Sequence, residues 1–263
     1  METGFLTELS QRTLWIALLV FARSAGLLRM MPVIGGRGVP RTIRLIESLV
    51  LSAVIFPSLW FVEIALPASA VEKLLVLVGE FLIGLAVGAV PAILFSALLV
   101  CGGVVGRIGG FSAAAVFDPE LGGESGALET LLHLTAIAVF LAVGGLEKFF
   151  AAVLSLYDTL PPGTLFSVES LSDGLVKLLS QATTLGVQMA LPSLAALGSL
   201  WIASAFLGRV LPRLHFLTMT MTFSGNLLAV LFVLNATLGT MILFFQSRLP
   251  DWNTFLPTLF TPR

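Results

Sequence analysis

Charge is what this 263-residue chain has little of: 11% of its residues are Asp, Glu, Lys or Arg, against roughly 25% in a soluble domain. With 57% hydrophobic residues and a mean hydropathy of +1.03, it cannot build the polar exterior that a water-soluble fold of this length needs. Cysteine is nearly absent as well. Cys101, alone in an apolar stretch, excludes an intramolecular disulfide and a Cys-rich metal centre. The two histidines, His133 and His215, stand apart from each other and from any acidic pair at ligand spacing. There is no basic block either: 14 Lys and Arg are scattered against 15 acids for a net charge of −1, so nothing favours nucleic acid. Ser-His-Asp arrangements, a phosphate-binding loop, HExxH and paired carboxylates are missing. The sequence therefore reads as a protein without catalysis and without a cofactor. Glu2 and Glu8 precede the first apolar run where a leader would carry basic residues, so the N-terminus reads as retained.

Long apolar runs are what the chain does have. The first, Leu14 to Met31, contains Arg23 and Arg29 and stops at Pro32 and the glycines Gly35, Gly36 and Gly38. The second runs from Leu45 to Leu66, and Pro67 separates it from the third, Leu74 to Cys101, which contains Glu80 and Pro91. The fourth, Leu128 to Tyr157, is cut by Glu147 and Lys148, a pair that marks an interface or a bend. A polar stretch from Asp158 to Lys177 reads as a surface connection. The fifth and sixth, Leu178 to Leu207 and Phe216 to Phe245, are joined by the short turn Gly208 to His215 and predict an antiparallel hairpin.

These runs predict an all-α membrane protein of about six long, partly broken helical segments arranged as hairpins. Strands are disfavoured, because only helices or closed barrels satisfy backbone groups in lipid and the runs lack barrel alternation. A 30-residue helix is about 45 Å long, whereas the hydrocarbon core is roughly 30 Å. The excess predicts helices broken at Pro91 and Pro192 or helices that project beyond the bilayer. Arg37, Arg41 and Arg44 after the first run, with Arg209 and Arg213 between the last two, mark cytoplasmic loops. Both termini then lie on the periplasmic side.

Few residues stand out as candidates. Glu80 sits inside the third run, where a charge costs about 2.5 to 3.5 kcal/mol on insertion scales. It is either a proton or ion site or a protonated or paired carboxylate that fixes helix contacts. Arg23 and Arg29 lie near a run's end and are expected to snorkel, the alternative being a polar cavity. Gly84 and Gly88 have the spacing of a close helix contact. Asn226 and Asn235 suit interhelical hydrogen bonds. The segment from Gly102 to Gly126 is small, Gly-rich and largely apolar for a loop. It suits a segment folded back into the membrane or a pore, where irregular backbone survives only against protein or water; a loop packed on neighbouring helices is the alternative.

The order of these features resembles one family. Arg29-Met30-Met31-Pro32, Gly38-Val39-Pro40 with Arg41 and Arg44, Pro57, and Gly79-Glu80 with Gly84 and Gly88 come first. Phe117-Asp118-Pro119, Ala190-Leu191-Pro192, and Leu207-Gly208-Arg209 with Pro212 follow. Together, from Leu14 to Gly239, they resemble the FliR/SctT family of type III secretion export-gate subunits. The region from Pro32 to Pro40 and its spacing to Pro57 look more like the flagellar branch than the injectisome one.

The resemblance implies an inner-membrane subunit of a flagellar basal body, assembled with FliP-like and FliQ-like subunits and contacting FlhB and FlhA. Its cargo would be exported unfolded proteins. It also implies a FliP-like part over residues 1–177 with a plug loop at 102–126, and a FliQ-like hairpin and tail over 178–263. The plug residues are Gly106, Arg107, Ile108, Gly109, Gly110, Phe111, Ser112, Phe117, Asp118 and Pro119, and the cytoplasmic hairpin tip is Arg209, Pro212 and Arg213. Ile108 and Arg213 stand where the family commonly has Gln. The rival from another class is a small-molecule secondary transporter that uses Glu80 and a broken third helix.

Overall fold

The computed structural model describes residues 2–34, 39–60, 66–109, 127–164, 168–210 and 252–260, with Val62, Ile64 and Leu228. Among them are seven α-helices and no strand: α1 Glu2–Met30, α2 Arg41–Ile55, α3 Ala70–Ile108, α4 Ala127–Ala142, α5 Gly145–Thr159, α6 Val168–Val210 and α7 Trp252–Thr258. Gln11–Met30, Arg41–Leu59, α3 and α6 are long and apolar enough to cross a membrane, and α4 with α5 make a fifth span if the pair is one broken crossing. The chain is a multi-pass α-helical membrane protein. The sixth expected run lies, apart from Leu228, outside the described residues.

Helix boundaries follow local chemistry. Pro32 follows the last turn of α1, where the Met31 N–H still donates to the Leu27 carbonyl at 3.1 Å. Pro40 precedes α2, and its carbonyl accepts from the N–H groups of Ile43 and Arg44. α3 opens four residues before the expected run, because Ser69 and Glu72 cap it. The Ser69 hydroxyl accepts from the Glu72 N–H and the Glu72 carboxylate accepts from the Ala68 N–H, each at 3.1 Å, in the manner of a capping box. Gly144, at φ +71, breaks the chain between α4 and α5, in a left-handed conformation that other residues resist. Glu147 and Lys148 are exposed just beyond that break.

Several expectations are corrected. α3 and α6 run unbroken through Pro91 and Pro192, as 39 and 43 residues, so neither proline ends its helix. The second segment stops short of Leu66: α2 ends at Ile55 and one 3-10 turn carries on to Leu59. Residues Val168 to Lys177, expected in a surface connection, form the start of α6. Gly102 to Ile108, expected in the loop, close α3.

The chain divides into two units, Met1–Ile93 with Leu146–Leu178 and Leu249–Arg263, and Leu94–Gly145 with Leu179–Arg248. In the first unit α1 packs on α2, and the polarity of α2 is inside out. Its buried residues are Ser48, Ser52 and Ile55, whereas Ile46, Leu49 and Val54 are exposed. Each serine hydroxyl donates to the carbonyl one turn back, Arg44 for Ser48 and Ser48 for Ser52. Small residues toward protein and branched apolar ones outward is the arrangement lipid requires. On α3, Val71, Leu74, Leu75, Val78 and Leu82 form an exposed stripe, and Glu80 lies half a turn round from it at about 100° per residue.

In the second unit Cys101 and Val105 of α3, Leu132 of α4, and Ala190 and Leu197 of α6 form one buried cluster. Phe95 meets Phe140 edge to face at 5.3 Å. Gly186 lets α6 approach α3: a Cβ there would collide with the Ala97 carbonyl oxygen.

Candidate functional site

The polar centre of the first unit grows out of a close helix crossing. Gly26 of α1 faces the backbone of Phe81 and Leu85, and Gly84 and Gly88 of α3 face the backbone of Arg23 and Leu27. A Cβ at any of the three would collide with a carbonyl oxygen, that of Phe81, Arg23 or Leu27 respectively. The GxxxG spacing of Gly84 and Gly88 is thus used, and Gly26 on the partner helix completes it.

That approach places Arg23 beside Glu80. The Arg23 Nε donates to Glu80 Oε2 at 2.6 Å, with both side chains only 2% exposed. Arg23 does not snorkel, therefore; it is Arg29 that is exposed. Arg23 Nη1 donates to the Leu160 carbonyl at 2.9 Å, and Glu80 Oε1 accepts from the Gly163 N–H at 2.6 Å. The guanidinium carbon lies 4.6 Å from the ring centroid of Tyr157, a cation–π distance.

Sequence reasoning considered Glu80 and Arg23 separately and missed that they are partners, as it missed Tyr157 and Gly163. One signal was available. Charges inside apolar spans pair with one another, and Arg23 and Glu80 are charges of opposite sign, each inside an apolar run.

The expected plug residues divide between two regions. Gly106, Arg107 and Ile108 make the last turn of α3, with Gly106 buried and Arg107 and Ile108 exposed. The Gly109 N–H donates to the Val105 carbonyl at 2.8 Å, continuing that turn. Gly110, Phe111, Ser112, Phe117, Asp118 and Pro119 lie outside the described residues. Upstream, α4 crosses close to α3 at Gly102, where a Cβ would sit 2.8 Å from the Glu129 Cα. This is why Gly102 and Gly103 are helical: small residues at a helix interface serve packing as well as they serve loops. Arg209 is exposed in the last turn of α6, where a cation complements the helix dipole. Pro212 and Arg213 lie outside the described residues. No group of three or more His, Cys, Asp or Glu occurs at metal-binding proximity among the described residues.

Comparison with known proteins places this architecture. The chain is 27% identical over 198 residues to the flagellar biosynthetic protein FliR of Caulobacter vibrioides, covering 75% of this chain and 79% of that one. To the FliR of Escherichia coli it is 27% identical over 222 residues, covering 81% and 83%. It is also similar to the Yop proteins translocation protein T of Yersinia pestis, at 26% over 164 residues, covering 61% and 63%. The family model described as bacterial export proteins, family 1, matches residues 14–251, and the chain belongs to that family.

Proposed function

We propose that this chain is a core subunit of a bacterial flagellar type III protein-export gate, forming with FliP-like and FliQ-like subunits a closed helical channel for unfolded flagellar proteins. The family match across residues 14–251 carries the reading. The flagellar choice is supported by relatives such as the Aquifex aeolicus FliR, which aligns over 96% of this chain. The injectisome reading rests on the Yersinia translocation protein, aligned over 61%.

In this proposal the protein sits in the inner membrane of a flagellar basal body, with both termini on the periplasmic side and with FlhB and FlhA as further contacts. Residues 1–177 form the FliP-like part and 178–263 the FliQ-like hairpin and tail. The segment 102–126, whose first residues to Ile108 close α3, seals the channel. Arg209, Pro212 and Arg213 form the cytoplasmic tip. Glu80, already held by Arg23 and the Gly163 N–H, serves helix packing rather than ion transport.

The test is a mild-detergent pulldown of tagged protein from native membranes, with every copurifying chain identified. Recovery of FliP-like and FliQ-like subunits is the expected result. Recovery of the chain alone, under conditions that preserve other membrane complexes, would overturn the proposal.

A further inference from the structure

The connection from α5 toward α6 carries Leu160-Pro161-Pro162-Gly163-Thr164. Two prolines in a row remove two N–H donors, so this segment can satisfy little of its own backbone. It does form one internal turn: the Thr164 N–H donates to the Pro161 carbonyl at 3.3 Å, with Pro162 second and Gly163 third at φ +85. That is the residue order of a type II turn. Two groups lie outside that Thr164–Pro161 hydrogen bond, the N–H of the third residue and the carbonyl that precedes the turn. Those two groups are the Gly163 N–H and the Leu160 carbonyl.

Each is bound by one member of the buried pair. Glu80 Oε1 accepts from Gly163 at 2.6 Å, and Arg23 Nη1 donates to Leu160 at 2.9 Å. Nε and Oε2 bind each other, and Arg23 Nη2 is buried with no hydrogen-bond partner among the described residues. A donor and an acceptor, held in register by their own ion pair, thus match an acceptor and a donor three residues apart on the turn.

We propose that Arg23 and Glu80 are positioning residues that recognise the backbone of this turn and hold it onto the α1–α3 crossing. An ion pair kept only for stability would be replaceable by apolar residues at little cost, because desolvation offsets much of the Coulomb gain. A pair that recognises backbone is not replaceable, because leucine offers neither a donor to Leu160 nor an acceptor to Gly163. Lysine at position 23 retains the charge, but its single nitrogen lacks the guanidinium fork that reaches Glu80 and Leu160 together.

The experiment is hydrogen exchange of the full-length chain in lipid nanodiscs, read on a peptide covering the turn. Its turn donors are the N–H groups of Gly163 and Thr164, whereas the Leu160 N–H donates to the Leu156 carbonyl at the end of α5. In the double variant Arg23→Leu/Glu80→Leu, exchange of this peptide should rise by about tenfold or more, while peptides from the middle of α1 and α3 keep their protection. Arg23→Lys, which stays charged and is milder, should raise turn exchange severalfold with the same restriction. Unchanged turn protection in the variants that insert would overturn the proposal. So would loosening of α1 and α3 in step with the turn, because the pair would then act as a general stabiliser.

Discussion

Arg23 and Glu80 stand 57 positions apart in the chain and meet in a buried 2.6 Å contact. Removing one partner strands the other. Glu80→Leu alone should destabilise the protein by about 3 to 5 kcal/mol, and replacing both partners by leucine should cost less than the two single changes added together. Unfolding of the three variants in detergent, compared as a double-mutant cycle, measures the coupling. Strict additivity would mean that the two side chains do not depend on each other.

Gly84 and Gly198 are both glycines inside helices, yet they should respond oppositely to alanine. At Gly84 the new methyl runs into the Arg23 carbonyl, and overpacking of this kind costs about 1 to 3 kcal/mol. At Gly198 a Cβ has nothing within 4 Å among the described residues, so alanine should stabilise by about 0.5 to 1 kcal/mol through the helix's own preference. Melting temperatures in detergent decide this. A Gly84→Ala protein as stable as the parent would refute the close crossing.

On α2 the exposed side should reject charge and tolerate truncation. Leu49 is 62% exposed in the middle of a candidate span; if that side faces lipid, Leu49→Lys should impair insertion by up to about 2.5 to 3.5 kcal/mol, the value for a helix centre. Leu49→Ala should change insertion little. The fraction of each variant recovered in membranes is the measurement. In a water-soluble protein the lysine at an exposed site would be harmless.

Gly144 and Gly163 hold φ values of +71 and +85. Alanine at either position should cost about 1 to 2 kcal/mol from backbone strain. Gly163→Ala also brings a methyl to 3.3 Å from the Ile64 Cγ2 and should be the more harmful of the two in the same melts.

If the segment after α3 seals a channel, bulk at its entrance changes sealing without changing insertion. Replacing Gly109 and Gly110 with valine should alter secretion and ion leak at normal membrane levels of the protein. Secretion and leak assays equal to the parent would count against the sealing role.

Hydropathy alone located α1 to α6, with α4 and α5 inside one run, since burying apolar side chains in lipid leaves long runs that no soluble fold needs. Their ends were harder to read. Ser69 and Glu72 start α3 ahead of its apolar run, and Val168 to Lys177 is helical despite its polar residues, because capping and tertiary contacts act beneath the scale of a hydropathy window. Pro91 and Pro192 misled for a different reason. A proline removes one helical hydrogen bond and crowds the preceding turn, but in an apolar setting the alternative is more unpaired backbone, so the helix continues. The pairing of Arg23 with Glu80 was half legible: each charge was conspicuous, and only the glycine-lined crossing brings them together.

The length of α6 has a consequence for how much of this protein a cell can tolerate. Drawn out as a straight rod, its 43 residues would extend roughly 65 Å. Fitting that rod within a 30 Å hydrocarbon layer would need a tilt of about 60°, beyond the 0 to 40° found for transmembrane helices. Val168 and Val176 near one end, and Ile202, Phe206 and Val210 near the other, are all exposed, so apolar surface occurs toward both ends of a helix longer than a lipid layer needs. A copy made in excess of its neighbours would carry surface suited neither to water nor to lipid. Surplus copies should therefore be short-lived, and synthesis in fixed proportion to neighbouring chains becomes a physical requirement rather than an economy.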